Sequence, residues 1–515
     1  MLITIDRSGE RTGEAVVSPV YAEEPFWLPL REQHKKAGSV TWLLGRTEGE
    51  ADVLAAGLGR RADETLELVR RAGGAAARAL LREERSSAVL ERGGAGKAAA
   101  AASAGGEHGG AEQPGGIGCD VAAPATSTEA AATWLQAWVE GWLLGLYRFD
   151  RYRGVTRRED SVELILRPAQ WPELSEARLE ETVQTARLRA EGAMLARDLV
   201  NETPDGLNPE RFVATVVDHF AGTPVRIHVY RGQELKDREM NGLLTVGAGS
   251  KHAPALIELE YDSGGKALPH LALVGKGITF DMGGMNVKTG SDISDARMDM
   301  GGAAAVVGAM DILVRQRAAV HVTALIAVAD NLPDARAALP STVIRYPNGL
   351  TVQVANTDGE GRLVLADALL HAAGLGISEA IDIATLTGNV GQALGLGIAA
   401  ILGDAEMSRH LVRIGERNGE RLWPMPMMDE YEAELQSDYA DLRNVGKSGM
   451  AGAIIAALFI RKFVAESMKW VHIDMAGTVQ YKQETAYSAA GATGYGARLL
   501  ADYAVDRTRT CTGAK

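Results

Sequence analysis

Cysteine is almost missing from this sequence: Cys119 and Cys511 are the only two, far apart and one of them nearly at the C-terminus. Such a pair builds no disulfide framework and offers no Cys-based metal motif, so the chain suits a reducing compartment, the cytoplasm. Positive charge is also in short supply. Against 67 Asp and Glu stand 54 Lys and Arg, a formal net charge of −13, which disfavours a surface built for phosphate or nucleic acid. No apolar run approaches the roughly 18 residues that span a bilayer. The opening MLITIDRSGER lacks a basic leader followed by an apolar core, so the expectation is a chain neither exported by a standard signal nor embedded in a membrane.

What is present is the composition of a soluble globular protein, 46% hydrophobic and 23% charged over 515 residues, a length that calls for two domains. The expected fold class is α/β with two domains, each a mixed or mostly parallel sheet flanked by helices. The N-terminal one is placed at 1–175 and the C-terminal one at 176–515, with a linking helix over about 174–200 that follows Pro172 and is rich in Ala, Leu, Glu and Arg. In the first domain, apolar runs at 2–5 and 40–44 alternate with helical periodicity over 62–81. The segment 93–118 is nearly all Ala, Gly and small polar residues, cannot bury a core, and reads as a mobile surface insertion in which His108 is a solvated histidine. Trp134, Trp138 and Trp142 recur at four-residue spacing on a helix predicted over 126–146, an aromatic stripe for the core. In the second domain, strands are predicted at 225–230, 255–261, 271–274, 322–329, 352–355, 379–384 and 470–474. Helices at 303–315, 363–373 and 451–465 fall between them, which predicts a central, largely parallel sheet covered on both faces.

The chemistry concentrates in two stretches. In 350–370, the heptad Asn356-Thr357-Asp358-Gly359-Glu360-Gly361-Arg362 lies between a strand-like and a helix-like run, where parallel α/β folds build ligand sites. Asp358 and Glu360, two apart, point the same way on an extended backbone, and the glycines let that backbone bend close to whatever they hold. In 271–306, a buried strand at 271–274 is expected to open into a Gly-rich loop carrying Lys276 and Asp281, with Lys288 and Asp299 following. Charges set in apolar sequence need partners or a metal, and Lys276, Asp281, Asp299, Asp358 and Glu360 make sense together as a cage. Four carboxylates and one amine suit two adjacent cations, an arrangement that activates water and polarises a carbonyl or phosphoryl group. Taken singly, each residue has a plainer account: a solvated acidic turn, a snorkelling lysine, or Asp299 as the N-cap of a helix beginning at Met300.

VGKGITFD at 274–281, the spacing on to Lys288 and Asp299, and NTDGEGRL at 356–363 together resemble the leucyl aminopeptidase (cytosol aminopeptidase) family of two-metal exopeptidases. ARDLVN at 196–201, ATLTG at 384–388 and GATGYGARLL at 491–500 are similar to the family as well, as is EGWLLGLYRFDRY at 140–152. The resemblance implies a metal-dependent aminopeptidase that releases Leu and other apolar N-terminal residues. It implies two divalent ions per subunit, Mn²⁺ or Zn²⁺, with Lys276, Asp281, Asp299 and Glu360 matching the ligands of the looser metal and Asp281, Asp358 and Glu360 those of the tighter. Lys288 and Arg362 match the catalytic pair, Arg362 holding a bicarbonate ion that acts as general base. Thr385, Leu386 and Gly388 would serve substrate and anion, and Ala296 stands where a methionine usually lines the pocket for the first side chain. Peptides with a free N-terminus are the implied partners, and a homohexamer the implied assembly.

Some positions depart from the family pattern. Gly359 replaces the usual Ala, Met282 the usual Ser, Pro340-Ser341-Thr342 the usual Pro-Gly-Asp, and Ala296-Arg297 the usual Met-Lys. Two other functions remain open on the sequence. One is a DNA-binding or scaffold protein on the same fold, opposed by the complete ligand set and the acidic balance. The other is a two-metal phosphoesterase, which the metal chemistry alone would serve.

Overall fold

The computed structural model describes residues 2–24, 26, 30–44, 51–92, 127–154, 161–264, 268–290 and 292–512. The insertion at 93–118 with His108, and Cys119 beyond it, lie outside the described residues. The chain folds as two compact units, one of 1–146 with 152–187 and another of 147–151 with 188–515. The division falls inside the helix Glu176–Asn201.

In the first unit a six-stranded sheet runs in the order Ile3–Ile5, Glu163–Leu166, Ser87–Leu90, Ala15–Tyr21, Asp52–Gly59, Val40–Leu43. All neighbours are parallel except the last pair. The helices Leu66–Arg82 and Ser127–Leu146 pack together so closely that a Cβ at Gly141 would lie 1.9 Å from the Arg70 carbonyl oxygen. At this contact the buried Arg70 guanidinium pairs with Glu140 at 3.0 Å. Trp134 and Trp138 stack 5.4 Å apart and, with Trp142, are buried, as a core stripe requires.

The second unit is built on an eight-stranded sheet. Its four central strands, Lys469–Asp474, Glu379–Ala384, His270–Asp281 and His321–Asn331, run parallel to one another. Ala399–Gly403 joins one side antiparallel, and Ala255–Asp262 and Arg226–Arg231 join the other side antiparallel. These central strands are near-continuous apolar runs because helices cover both faces. Gly301–Arg315 lies in one core layer, and Gly361–Gly374 with Gly452–Arg461 in the other. Among the described residues, no helix is long and apolar enough to cross a membrane.

Three expectations need correction. The strand expected to end at 274 continues to Asp281, so Lys276 and Asp281 lie within a strand and not in a Gly-rich loop. The glycines there serve packing: a Cβ at Gly275 would sit 2.8 Å from the Ala303 Cα of the covering helix, and one at Gly277 would sit 2.8 Å from the Ala327 carbonyl oxygen. The strand expected at 352–355 belongs to a separate three-stranded sheet, Val343–Arg345, Thr351–Gln353 and Leu442–Arg443, and not to the central one. The heptad after it turns at 357–358 instead of running extended.

Candidate active site

The site forms where the parallel strands end, the edge at which open α/β sheets carry ligands. Lys276 belongs to the strand face of Ala272, Val274 and Ile278 that packs toward the helix Gly361–Gly374. Between Ile278 and Asp281 the pairing with the next strand shifts by one residue. A one-residue shift exchanges the two faces of a strand, and here it sets Asp281 on the side of Lys276. Glu360 directly precedes the covering helix, in helical conformation.

Six of the sequence-derived residues form one connected cluster. Lys276 Nζ is 2.7 Å from Asp299 Oδ2 and 2.8 Å from Glu360 Oε1. Lys288 Nζ is 2.7 Å from Asp281 Oδ2 and also pairs with Asp358. Oxygens of Asp281, Asp358 and Glu360 all lie within 4.8 Å of one another, close enough to share a cation. Lys276 is 2% exposed and does not snorkel. Nor is Asp299 an N-cap: the helix Gly301–Arg315 starts from Met300 without a side-chain cap, and Asp299 instead accepts a 2.7 Å hydrogen bond from Thr385 Oγ1.

Burial pushes the carboxyls of Asp299, Glu360 and Asp358 up, and the adjacent Asp281 carboxylate adds to it for each. Burial opposes the ammonium of Lys276, but Asp299, Glu360 and Asp281 outweigh it and hold its pKa above the usual lysine value. For Lys288 burial is likewise outweighed, chiefly by Asp281. Four carboxyls crowded together, with burial raising Asp299, Asp358 and Glu360, are a donor set that divalent cations would stabilise, so the residues fit such ions.

Arg362, buried at the start of the covering helix, donates from Nη1 to the Asn444 carbonyl at 2.9 Å. Its Nε is buried and has no hydrogen-bond partner among the described residues. Burial depresses its pKa to about 10, against the pull of Glu360 and Asp474. An unmatched guanidinium N–H fits a small planar anion. Thr385 carries its hydroxyl to Asp299 and accepts a 3.0 Å bond from Lys276 Nζ at its carbonyl. The Leu386 N–H donates to Asp474 Oδ1 at 3.2 Å, while Gly388 opens the short helix Gly388–Leu394. Ala296 lies in the 3-10 turn Ser294–Met298 that leads into Asp299, half-buried.

The sequence did not point to the residues that hold this cluster in place. Asn444 is fully buried and clamps the heptad, accepting from the Ala355 N–H and donating to the carbonyls of Asn356 and Gly359. Thr357 and Asn286 bond each other's main chain and side chain. Asn331 reaches Asp281 directly. Its position at the carboxyl end of a parallel strand was the available signal.

Comparison with known proteins identifies the family. The cytosol aminopeptidase family, catalytic domain, matches residues 194–501. A Syntrophotalea carbinolica protein described as "Probable cytosol aminopeptidase" is 40% identical over 373 residues, 72% of this chain and 74% of that protein. A Rickettsia peacockii protein of the same description is 37% identical over 377 residues, again 72% and 74%. Among solved structures, the bottromycin maturation enzyme BotP in complex with Mn superposes with a TM-score of 0.80 at 29% identity, covering 96% of this chain and all of that one (100%). A tomato leucine aminopeptidase mutant superposes with a TM-score of 0.81 at 26% identity, covering 98% and 96%. The family match and the fold define a peptidase hydrolase of the α/β class. The chain belongs to the cytosol aminopeptidase family.

Proposed function

We propose that the chain is a metal-dependent aminopeptidase that releases N-terminal residues, Leu and other apolar ones preferred, from peptides with a free N-terminus. The observation that carries this is the convergence of Asp281, Asp299, Asp358 and Glu360 with Lys276 and Lys288 where the parallel strands end. Lys276, Asp281, Asp299 and Glu360 would hold one divalent ion and Asp281, Asp358 and Glu360 the other. Manganese is favoured by the Mn-bound relative, and zinc suits the donors as well. Two such ions supply a water of lowered pKa and a polarised carbonyl. Lys288, half-buried between two carboxylates, presents an ammonium to the oxyanion that develops on the scissile carbonyl. Arg362 is too basic to take a proton; the resemblance to the family implies that it would hold a bicarbonate supplying the general base. Thr385, Leu386 and Gly388 would position the substrate.

Metal analysis of the purified protein, alongside a panel of amino-acid amides, tests this. Activity should vanish on chelation and return with Mn²⁺, Zn²⁺ or Co²⁺. Hydrolysis of p-nitrophenyl phosphate but not of an amino-acid p-nitroanilide would make the site a phosphoesterase instead. A DNA-binding role is opposed by the net charge of −13 and a scaffold role by the complete ligand set, and low-salt filter binding to duplex DNA should show no retention. The proposed setting is cytoplasmic and the proposed assembly a homohexamer, for which light scattering should return six times the mass of the chain.

A further inference from the structure

Asn331 ends the strand His321–Asn331, and by alternation its side chain follows Ala327 and Ala329 on the face turned to the site. Its Nδ2 donates to Asp281 Oδ1 at 2.8 Å and to the Thr357 carbonyl at 3.0 Å, and reaches Glu360 Oε2 at 3.4 Å. Three oxygens around one atom identify it as the amide nitrogen, because the flipped amide would set its carbonyl against three acceptors. The main-chain carbonyl of Asn331 accepts from the Met282 N–H at 2.9 Å, tying the residue to the chain just beyond Asp281. The other end of the amide is boxed in as well: a Cβ at Gly284, whose φ is +59°, would come within 2.7 Å of Asn331 Oδ1. The side chain is 4% exposed and has no room to turn.

The remaining oxygens of the same two carboxylates face the lysines: Asp281 Oδ2 lies 2.7 Å from Lys288 Nζ, and Glu360 Oε1 lies 2.8 Å from Lys276 Nζ. One neutral amide thus holds the outer oxygens of the two carboxylates proposed to be shared between the metals. We infer that Asn331 is a positioning residue of the metal centre, which fixes the orientation of Asp281 and Glu360 toward each other so that both ions can be held at once. This rests on the proposed reading of Asp281 and Glu360 as shared ligands. A neutral donor suits the role, since it stabilises both carboxylates without adding a charge that would compete with a cation, as a lysine there would. Outer hydrogen-bond partners of metal ligands typically change metal affinity by about 10–100-fold when removed.

The test titrates Mn²⁺ into chelator-stripped full-length protein by calorimetry for the wild type, Asn331→Ala and Asn331→Leu. Thermal unfolding in chelator and electron paramagnetic resonance of the Mn-loaded forms accompany it. The Leu variant keeps the branched four-heavy-atom shape of Asn without its donor, in case the smaller Ala lets the site collapse. The wild type should bind two ions with a spin-coupled spectrum. A folded variant should bind at least one of them about 10–100-fold more weakly and show the spectrum of isolated Mn²⁺. Two ions bound by the wild type, with unchanged affinity and coupling in a folded Asn331→Leu, would overturn the role of Asn331 and leave the metal centre standing. Fewer than two ions in the wild type would overturn both. Failure of both variants to fold would also overturn it, making Asn331 a residue of the fold alone.

Discussion

Lys276 and Glu360 approach to 2.8 Å only because the residue between Glu360 and Arg362 has no side chain. A Cβ at Gly361 would lie 2.7 Å from Lys276 Cε and 2.8 Å from Leu386 Cδ1. At this scale, substitutions that keep shape and remove charge separate chemistry from folding. Asp358→Asn or Glu360→Gln should abolish turnover while leaving the unfolding midpoint near that of the wild type, because each relieves carboxylate crowding that already raises these pKa values. Full activity in either variant would remove the two-metal proposal. Ala296 bears on specificity. Met298 and Met300, which could refill the space left by the missing methionine, are 4% and 1% exposed and belong to the core layer of the helix Gly301–Arg315. Met285 is 41% exposed. The pocket for the first side chain should therefore be roomier, and each further buried substrate methylene adds about 0.8 kcal/mol. Phe amides should compete well with Leu amides, and Ala296→Met should lower the Phe-to-Leu ratio of kcat/KM by up to roughly 10-fold. An unchanged ratio would show that the position does not shape the pocket.

At the scale of elements, what was legible in the sequence follows from period and composition. Helices with long regular patterns, such as Glu176–Asn201 and Gly361–Gly374, lie where periodicity put them, and so does the strand Glu379–Ala384. The charged residues of the site were legible because charge in an apolar strand has few inexpensive explanations. The neutral groups that orient them were not: Asn331, Thr357 and Asn444 are ordinary polar residues until the fold brings them to a carboxylate or a carbonyl. Glycine misleads in one place. Gly275 has the look of a loop residue in the sequence, yet it marks the crossing of the central strand with the helix Gly301–Arg315. A Cβ there would meet Ala303 Cα at 2.8 Å, Ala303 N at 3.0 Å and the Gly302 carbonyl oxygen at 3.1 Å, all of them main-chain atoms that cannot swing aside. Gly275→Ala should therefore destabilise the catalytic unit by about 1–3 kcal/mol, read as a lowered unfolding midpoint. A midpoint equal to the wild type would mean that strand and helix separate more easily than their packing implies.

For the whole molecule, one buried carboxyl away from the candidate site links stability to pH. Asp367, on the helix Gly361–Gly374, is 2% exposed, accepts the Leu243 N–H at 2.7 Å through Oδ2, and has no hydrogen-bond partner for Oδ1 among the described residues. Burial raises its pKa to about 8, and the N–H groups of Leu243 and Gly242 only partly counter it. The folded chain thus holds a proton that the unfolded chain, with an ordinary Asp near about 3.9, has released. Between about pH 4 and 8 the folded state binds more protons than the unfolded state, so this group's contribution is full at the acid end and is lost as pH rises to about 8. The slope is at most about 1.4 kcal/mol per pH unit and falls to zero above about 8, where both states are ionised. Asp367→Asn keeps an acceptor for the Leu243 N–H and has no proton to lose. Relative to the wild type, the Asn variant should gain stability steadily from pH 5 to about 8 and then hold a constant advantage up to pH 9, in thermal or denaturant unfolding at matched ionic strength. A difference that stays flat from pH 5 to 9 would mean that Asp367 is ionised in the fold throughout, and that N–H donors at this helix contact outweigh its burial.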